Sequence, residues 1–296
     1  MDGDIALTLA KRSPAQRARG AVILGFRHDA ARGVTGLSDL YHSHPMRVLF
    51  PRPARNDVIT AAITTVSGGL VGGDQIDVSI RAEDNAQVLS LAQAAEKVYR
   101  AQDLEPARVT LGLTVGANGC LEYLPQETIV FDGARLVRST RIDLATETAQ
   151  VMAGEMVIFG RGAMGETVRQ CQLQENWRVT VAGRTIWRDA FVLTSAVANS
   201  PFGLDGATAM ASLICVAPQP DVLRDRVRPL LADLSGGIAG GNADGIAGAT
   251  VMGPLLLLRF LGKDPAAMRA CYMHIWSELR HQAFGRPARL PALIHC

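Results

Sequence analysis

The feature that most constrains the fold is a series of short apolar and β-branched segments, separated by turn signals about every ten residues. Residues 76–80 alternate apolar and polar side chains, as a half-buried strand does. Residues 108–115 alternate again, and a turn of small and polar residues follows at 116–119. This pattern predicts a mainly β fold. Because no helix of crossover length separates the segments before about residue 215, a doubly wound parallel sheet is disfavoured.

The C-terminal third has a different pattern, with apolar residues at helical spacing in residues 221–234. A second helix is predicted from the N-cap signal Asp264 and from Pro265 at the first helical position, and it should end near Gly285. Between the two helices, residues 255–261 are expected to form a strand. The polar, Arg-rich residues 1–19 are expected to be flexible, and residues 20–296 to form a single domain.

Composition excludes several classes of protein. The chain has 296 residues, 48% of them hydrophobic, which is enough for a large core, and its net charge of +2 gives no basic stripe for nucleic acid. Its five cysteines are scattered without a C-x-x-C pair, which argues against a disulfide framework and against a structural zinc site. No apolar run reaches the length of a membrane span or signal peptide. We therefore expect a soluble, cytoplasmic protein without membrane or nucleic-acid partners.

A glycine-rich segment, residues 67–74, is the most conspicuous local motif. Two glycine pairs bracket two apolar residues, and an aspartate follows; the residues concerned are Gly68, Gly69, Gly72, Gly73 and Asp74. The segment lacks the lysine and the helix signal of a phosphate-binding loop. We interpret it as a tight connection between strands, with Asp74 accepting hydrogen bonds from local amides.

Residues 93–100 form a second polar motif, which contains Gln93, Glu96, Lys97, Tyr99 and Arg100. A lysine or tyrosine in such a cluster can serve as a general acid or base. The more common explanation of such a charge run is a solvated segment beside a strand, and we favour it here.

A third motif contains Glu155, Gly160, Arg161, Gly165 and Glu166. Glu155 and Glu166 could act as the paired acids of a hydrolase, but the sequence gives no separation for the two carboxyl groups. Arg161 could equally form a structural ion pair with one of them.

His42 and His44 are weak candidates for metal binding. Two histidines at this spacing would lie on one face of a strand, but no third ligand is identifiable nearby, so no tight metal site is expected. The sequence also lacks a nucleophile elbow, a Walker motif and a dinucleotide fingerprint.

The motifs, in this order and at this spacing, resemble those of the UreD/UreH family of urease accessory proteins. The resemblance covers about residues 20–290. The matching segments are residues 68–74 (GGLVGGD), 93–100 (QAAEKVYR), 121–127 (LEYLPQE, with Glu122), 155–166 (EMVIFGRGAMGE), and the closing strand and helix.

The resemblance implies an elongated β-helix-like stack of many short strands, with two helices in the C-terminal third. It also implies a protein that is not an enzyme, binds no cofactor tightly and assists the insertion of nickel into apo-urease. Its partners would be apo-urease, the accessory protein UreF and, through UreF, the GTPase UreG, to which GTP and magnesium would belong. Ni²⁺ would pass through transiently.

From the positions of the acidic residues in these motifs, we hypothesise that Asp74, Glu96, Glu122, Glu155 and Glu166 include carboxylates that line or shape a nickel route. Two alternatives stay open at this point. One is a generic β-rich interaction scaffold without a metal role, and the other is a carboxylate-dependent hydrolase.

Overall fold

A computed structural model describes residues 17–198, 200–235 and 245–295. Of the segment predicted to be flexible, residues 1–19, the first sixteen lie outside the described residues. Residues 236–244, which belong to a Gly- and Ala-rich stretch, lie outside them as well. Within the described residues, the chain forms seventeen strands and three α-helices.

The strands form two sheets and are numbered in chain order. They are β1 (Arg19–Asp29), β2 (Val34–His42), β3 (Met46–Leu49), β4 (Ile59–Thr65), β5 (Gln75–Ala82), β6 (Gln87–Ala92), β7 (Glu96–Val98), β8 (Ala107–Val115), β9 (Cys120–Leu124), β10 (Thr128–Val130), β11 (Ala134–Leu144), β12 (Gln150–Phe159), β13 (Cys171–Val181), β14 (Arg184–Thr194), β15 (Ala209–Val216), β16 (Gly245–Met252) and β17 (Leu255–Gly262). The helices are α1 (Ser195–Ala198), α2 (Pro220–Ser235) and α3 (Pro265–Phe284).

A seven-stranded sheet has the order β14-β13-β11-β8-β5-β1-β2, and its interior pairs are parallel. A ten-stranded sheet has the order β16-β17-β15-β12-β9-β6-β4-β3, with β7 and β10 paired beside the end of β12. In the central part, consecutive strands alternate between the two sheets, so that β5, β8, β11 and β13 stack in one and β4, β6, β9 and β12 in the other. The result is a solenoid of about four turns.

This topology explains how parallel strands occur without crossover helices. Each parallel neighbour is reached through a strand of the opposite sheet, which serves as the crossover connection. The inward side chains of the two sheets form one apolar core, to which Phe26, Ile80, Leu113, Leu136 and Leu173 contribute.

A short third ladder runs along one side of the solenoid. The strands β7 and β10 pair in parallel, β10 pairs with the end of β12, and Leu70 bridges to Val98. Between β6 and β7, and again between β9 and β10, the chain turns a corner at residues 93–95 and 125–127. The motif segments 93–100 and 121–127 therefore form stacked corners of successive turns.

The helices α2 and α3 cover the outer face of the ten-stranded sheet and build a second apolar core with it. Asp264 caps α3 by accepting hydrogen bonds from the amides of Ala266 and Ala267 at 2.8 and 3.1 Å, Pro265 opens the helix, and Gly285 ends it in a left-handed conformation. None of the helices in the described part of the chain is both long and apolar enough to cross a membrane.

The predicted mainly β, β-helix-like architecture with two long C-terminal helices is confirmed. Sequence reasoning missed β2, β7, β12, β15, β16 and the single-turn helix α1. The strand β12 gave no alternation because it is buried on both faces. The interpretation of residues 93–100 as a solvated segment is wrong for residues 96–98, which form β7.

A polar cavity inside the solenoid as the candidate functional site

A cavity of about 250 Å³ lies inside the solenoid, between the two sheets and under the corner residues 93–95 and 125–127. Part of its wall is apolar, formed by side chains such as Ile63, Val78 and Leu111. The rest carries polar groups, namely those of Thr64, Thr65, Glu96, Lys97, Tyr123, Gln126, Thr128, Arg138, Thr140, Glu155 and Trp177. Since the exposed residues Gly68, Ala94 and Lys97 also line it, the cavity reaches the surface beside the glycine-rich segment.

A cluster of one arginine and two glutamates adjoins the polar wall: Arg138 and Glu155 line the cavity, and Glu175 contacts Arg138. Arg138 on β11 and Glu175 on β13 are direct cross-strand partners, and the Arg138 Nε donates to Glu175 Oε2 at 2.8 Å. The Arg138 Nη2 lies 2.7 Å from Glu155 Oε2 and 2.8 Å from Glu175 Oε1. The indole of Trp177 donates to Glu155 Oε1 at 3.2 Å, and Arg138 Nη1 donates to Thr128 Oγ1 at 3.0 Å.

Burial controls the ionisation of this cluster. Removal from water raises the pKa of Glu175 to about 8, and the neighbouring Glu155 carboxylate adds to this rise while Arg138 opposes it. Burial acts against the charged form of Arg138, but the two carboxylates outweigh it and hold the pKa of Arg138 above its ordinary value. The cluster therefore combines a fixed positive charge with an acid that can gain or lose a proton near neutral pH.

Glu96 and Tyr123 complete the polar wall. Glu96 opens β7, stacks on Thr128 of β10, and accepts a hydrogen bond from Thr65 Oγ1 at 2.6 Å. Burial raises the pKa of Glu96, although the Thr65 hydrogen bond opposes the rise. Burial also raises the pKa of Tyr123 to about 12, so this phenol stays neutral and can donate a hydrogen bond.

The glycine-rich segment connects β4 to β5 and borders the cavity at Gly68 and Gly69. As predicted for this segment, Asp74 accepts the Val71 amide at 2.9 Å; it also accepts the Ala18 amide at 2.7 Å. Gly69 has φ = +138°, and a Cβ there would lie 2.6 Å from the Lys97 carbonyl oxygen. Gly72 and Gly73 lie further along the loop, where a Cβ on Gly72 would meet the Glu105 carbonyl oxygen at 2.4 Å. Asp74 thus fixes the loop and does not face the cavity.

Residues of three motifs meet in a row on the outside of the third ladder. Tyr99 donates to the Gly68 carbonyl oxygen at 3.2 Å and packs edge-on against Phe131 with ring centroids 4.8 Å apart. The guanidinium of Arg161 lies 4.5 Å from the centre of the same Phe131 ring. Arg100, at the end of the second motif, pairs with Asp132 at 2.8 Å, and Gln93 lies in the corner before β7.

Glu166 belongs to this exposed row and not to the cavity. Its carboxylate accepts a hydrogen bond from Arg161 Nε at 2.8 Å, which lowers the pKa of Glu166; of the two acids that the sequence left open as ion-pair partners of Arg161, the structure shows Glu166. Gly160 and Gly165 shape the loop around this pair, both with positive φ. Because Glu155 lies inside the solenoid and shares no contact partner with Glu166, the two do not form the paired acids of a hydrolase site.

Glu122 lies on the opposite face of the ten-stranded sheet, under α3. Arg280 Nε donates to Glu122 Oε2 at 2.7 Å and Arg280 Nη2 donates to Asp57 Oδ1 at 2.7 Å, with all three side chains buried. The structure therefore brings Glu96 and Glu155 to the cavity, and places Asp74, Glu122 and Glu166 elsewhere.

The two candidate histidines do not share a strand face, because β2 ends at His42 and His44 lies beyond it. In the described part of the chain, no group of three or more histidine, cysteine, aspartate or glutamate side chains is arranged to hold a metal ion.

Sequence reasoning missed Arg138 and Glu175 although a signal was present. Leu136, Arg138, Thr140 and Ile142 occupy alternate positions of one strand, and Leu173, Glu175, Trp177 and Val179 do so in another. A charged residue at an inward position among apolar ones indicates a buried polar site.

The chain was compared with known families and proteins. The family described as UreD urease accessory protein matches residues 18–294. A protein named urease accessory protein UreD from Magnetococcus marinus is 41% identical, with 97% of this chain and 98% of that protein covered. Urease accessory protein UreD from Paracoccus denitrificans is 36% identical over 92% of each chain, and UreD 1 of a Bradyrhizobium species is 34% identical over 93% and 95%. Given this match across nearly its whole length, the chain belongs to the UreD family of urease accessory proteins.

Proposed function

We propose that this protein is a non-enzymatic, cytoplasmic scaffold that bridges apo-urease to the UreF/UreG complex and offers Ni²⁺ a passage through its solenoid. Family membership supports the role in urease maturation. The observation that carries the passage is the cavity of about 250 Å³ inside the β-solenoid, whose wall is partly polar. This volume is many times the space that a single water molecule needs, so a divalent cation that keeps several water ligands can fit.

The chemistry of the wall suits transient passage. A set of imidazole or thiolate ligands would bind Ni²⁺ too tightly for release, whereas the wall offers carboxylate, hydroxyl and amide oxygens. Glu96 is the carboxylate best placed to meet a cation entering beside Gly68. The oxygens of Glu155 are already approached by Arg138 and Trp177, so we assign it to shaping the wall and not to coordination.

The first experiment measures urease activity in cells that carry the urease and accessory genes at fixed nickel concentration, with and without this chain. Loss of activity on deletion, and its return on restoration, is expected for an essential maturation factor. Unchanged activity would contradict the proposed role altogether.

A second experiment separates passage from simple bridging. Ala94→Trp places a large side chain at the mouth of the cavity, and Ala145→Trp places the same side chain in an exposed turn outside it. We expect Ala94→Trp to reduce activation several-fold while co-purification with apo-urease and UreF persists. Ala145→Trp should leave both activation and co-purification unchanged. Full activation by both variants would favour a protein-interaction scaffold without a metal role.

A third comparison tests the Glu96 carboxylate by removing one negative charge. Glu96→Gln should lower activation at limiting nickel, and excess nickel should restore part of it. Glu147→Gln removes the same charge from the surface and is expected to have no effect. Equal activation by the two variants would exclude Glu96 from the route.

A further inference from the structure

The cluster around Arg138 has more negative than positive charge. If Glu155 and Glu175 are both ionised, the three side chains together carry a charge of −1. Glu155 is 5% exposed and Glu175 is 2% exposed, so this charge lies away from bulk water. An unbalanced charge in such a place is strongly unfavourable.

The other titratable groups that face the cluster do not balance it. Glu96 on β7 and Tyr123 on β9 are acids, while the facing residues of β5 and β8, Val78 and Leu111, are apolar. Lys97 also lines the cavity, but its side chain is exposed at the mouth.

The positions of the oxygen atoms are the second observation. Glu155 Oε2 and Glu175 Oε1 both approach the single nitrogen Nη2 of Arg138, at 2.7 and 2.8 Å. All three atoms are buried, yet among the described residues none of them has a partner at hydrogen-bonding angles. The Nη2 nitrogen carries two N–H groups, but neither contact has hydrogen-bond geometry, so Glu155 Oε2 and Glu175 Oε1 both lie buried without a donor in the described part of the chain.

We propose that Glu155 and Glu175 form a carboxyl–carboxylate pair that holds one proton in the wall of the cavity. The proton resides on Glu175 Oε1, and this O–H donates to Glu155 Oε2. With the proton bound, the charges of Arg138 and Glu155 cancel and the wall is neutral. When the proton leaves, the O–H bond of Glu175 breaks, its electron pair stays on the carboxylate, and the wall gains a charge of −1.

The proton site gives the cavity a charge that depends on pH and on its contents. A divalent cation that enters the cavity attracts negative charge and thus favours release of this proton, a consequence that rests on the proposed function. The proton site itself does not require that function, because it follows from the side chains alone.

The test is a pH titration of the full-length protein with ¹³C-labelled glutamate carboxyl groups, followed by NMR. Wild-type protein should show a glutamate resonance that titrates near pH 8, the pKa of Glu175. Glu175→Gln should remove that resonance, and Glu155→Gln should move it to lower pH because the repelling carboxylate is gone.

Three further variants make the assignment secure. Glu96→Gln and Glu122→Gln identify the other two glutamates whose pKa is raised by burial. Glu166→Gln removes a glutamate that is also paired with an arginine but lies at the surface, and should remove only a resonance that titrates at low pH. If the resonance that Glu175→Gln removes titrates near the ordinary glutamate value of about 4.3, the pair holds no proton and the proposal is overturned.

Discussion

On each side of the ten-stranded sheet, a largely buried arginine lies between two acids, yet the two clusters behave differently. Under α3, the five N–H groups of Arg280 all donate, to Glu122, Asp57 and the Arg289 carbonyl oxygen. Trp276 donates to Glu122 as well. On the cavity side, Glu155 Oε2 and Glu175 Oε1 both lie within 2.8 Å of one nitrogen of Arg138, but neither contact has hydrogen-bond geometry.

The comparison shows that charge composition alone does not determine what a buried cluster does. Burial alone would raise the pKa of Asp57, but the hydrogen bonds and the charge of Arg280 outweigh it and lower that pKa. Burial raises the pKa of Glu122, yet each of its oxygens has a donor. The Arg280 cluster is thus a structural lock, whereas the Arg138 cluster leaves Glu155 Oε2 and Glu175 Oε1 without a hydrogen bond from any described residue, and there it can exchange a proton.

The largest effect is expected from breaking the lock. Arg280→Met leaves Glu122 and Asp57 buried without their cation, and it should lower the free energy of unfolding by about 3–5 kcal/mol. Urea unfolding followed by tryptophan fluorescence measures this. Arg81→Met removes an exposed arginine paired with Asp39 and should cost less than about 1 kcal/mol. Similar losses for both variants would mean that the buried network contributes no more than a surface pair.

Removing the arginine of the other cluster should have a smaller, pH-dependent effect. Arg138→Met leaves Glu155 and Glu175 next to a cavity, where protonation and water can relieve part of the repulsion. We expect a loss of about 2–3 kcal/mol at pH 8 and a smaller loss at pH 6, from the same unfolding measurement. A loss that does not change between these two pH values would contradict the proposed difference between the clusters.

The next effect is the pH dependence that Glu175 gives the wild-type protein. Since burial raises the pKa of Glu175 from 4.5 to about 8, the folded chain holds a proton that the unfolded chain lacks between these values. This stabilisation is complete below pH 4.5 and is lost as pH rises through about 8, at a rate of at most about 1.4 kcal/mol per pH unit. Glu175→Gln should therefore reduce the decline in stability between pH 6 and 9.

Comparison with the same variant also isolates this contribution, because Glu96 and Glu122 are present in both proteins. The free energy of unfolding of the wild type, minus that of Glu175→Gln, should fall as pH rises towards about 8 and stay constant above it. The reason is that only the wild type loses stability with the Glu175 proton. Parallel pH profiles for the two proteins would show that Glu175 has the same pKa in the folded and unfolded states.

Some of this architecture could be predicted from local chemistry. The ends of α3 follow from Asp264, Pro265 and Gly285, since capping depends on residues adjacent in sequence. The alternation of residues 76–80 and 108–115 predicts strands for the same local reason. These are features for which neighbouring residues are sufficient.

The candidate site depends on register, which local chemistry does not supply. Arg138 and Glu175 become partners only because β11 and β13 pair in parallel with that register, 37 residues apart in sequence. Glu155 lies on a strand buried on both faces, so no alternation indicates which way its side chain points. The family motifs identified Glu96 and Glu155, but they also included Glu122, which lies on the other face of the sheet.

The smallest expected effect tests whether hydrogen bonding under α3 is complete outside the Arg280 cluster. The hydroxyl of Tyr272 is buried against Gly154 and has no hydrogen-bond partner among the described residues; a Cβ on Gly154 would lie 2.1 Å from it. Tyr272→Phe removes this unsatisfied group and should leave stability unchanged or raise it by about 1 kcal/mol. The matched change Tyr99→Phe removes a hydroxyl that donates to the Gly68 carbonyl oxygen, and should lower stability by up to about 1 kcal/mol. If Tyr272→Phe destabilises the protein more than Tyr99→Phe does, the Tyr272 hydroxyl makes a hydrogen bond and is not an unsatisfied group under α3.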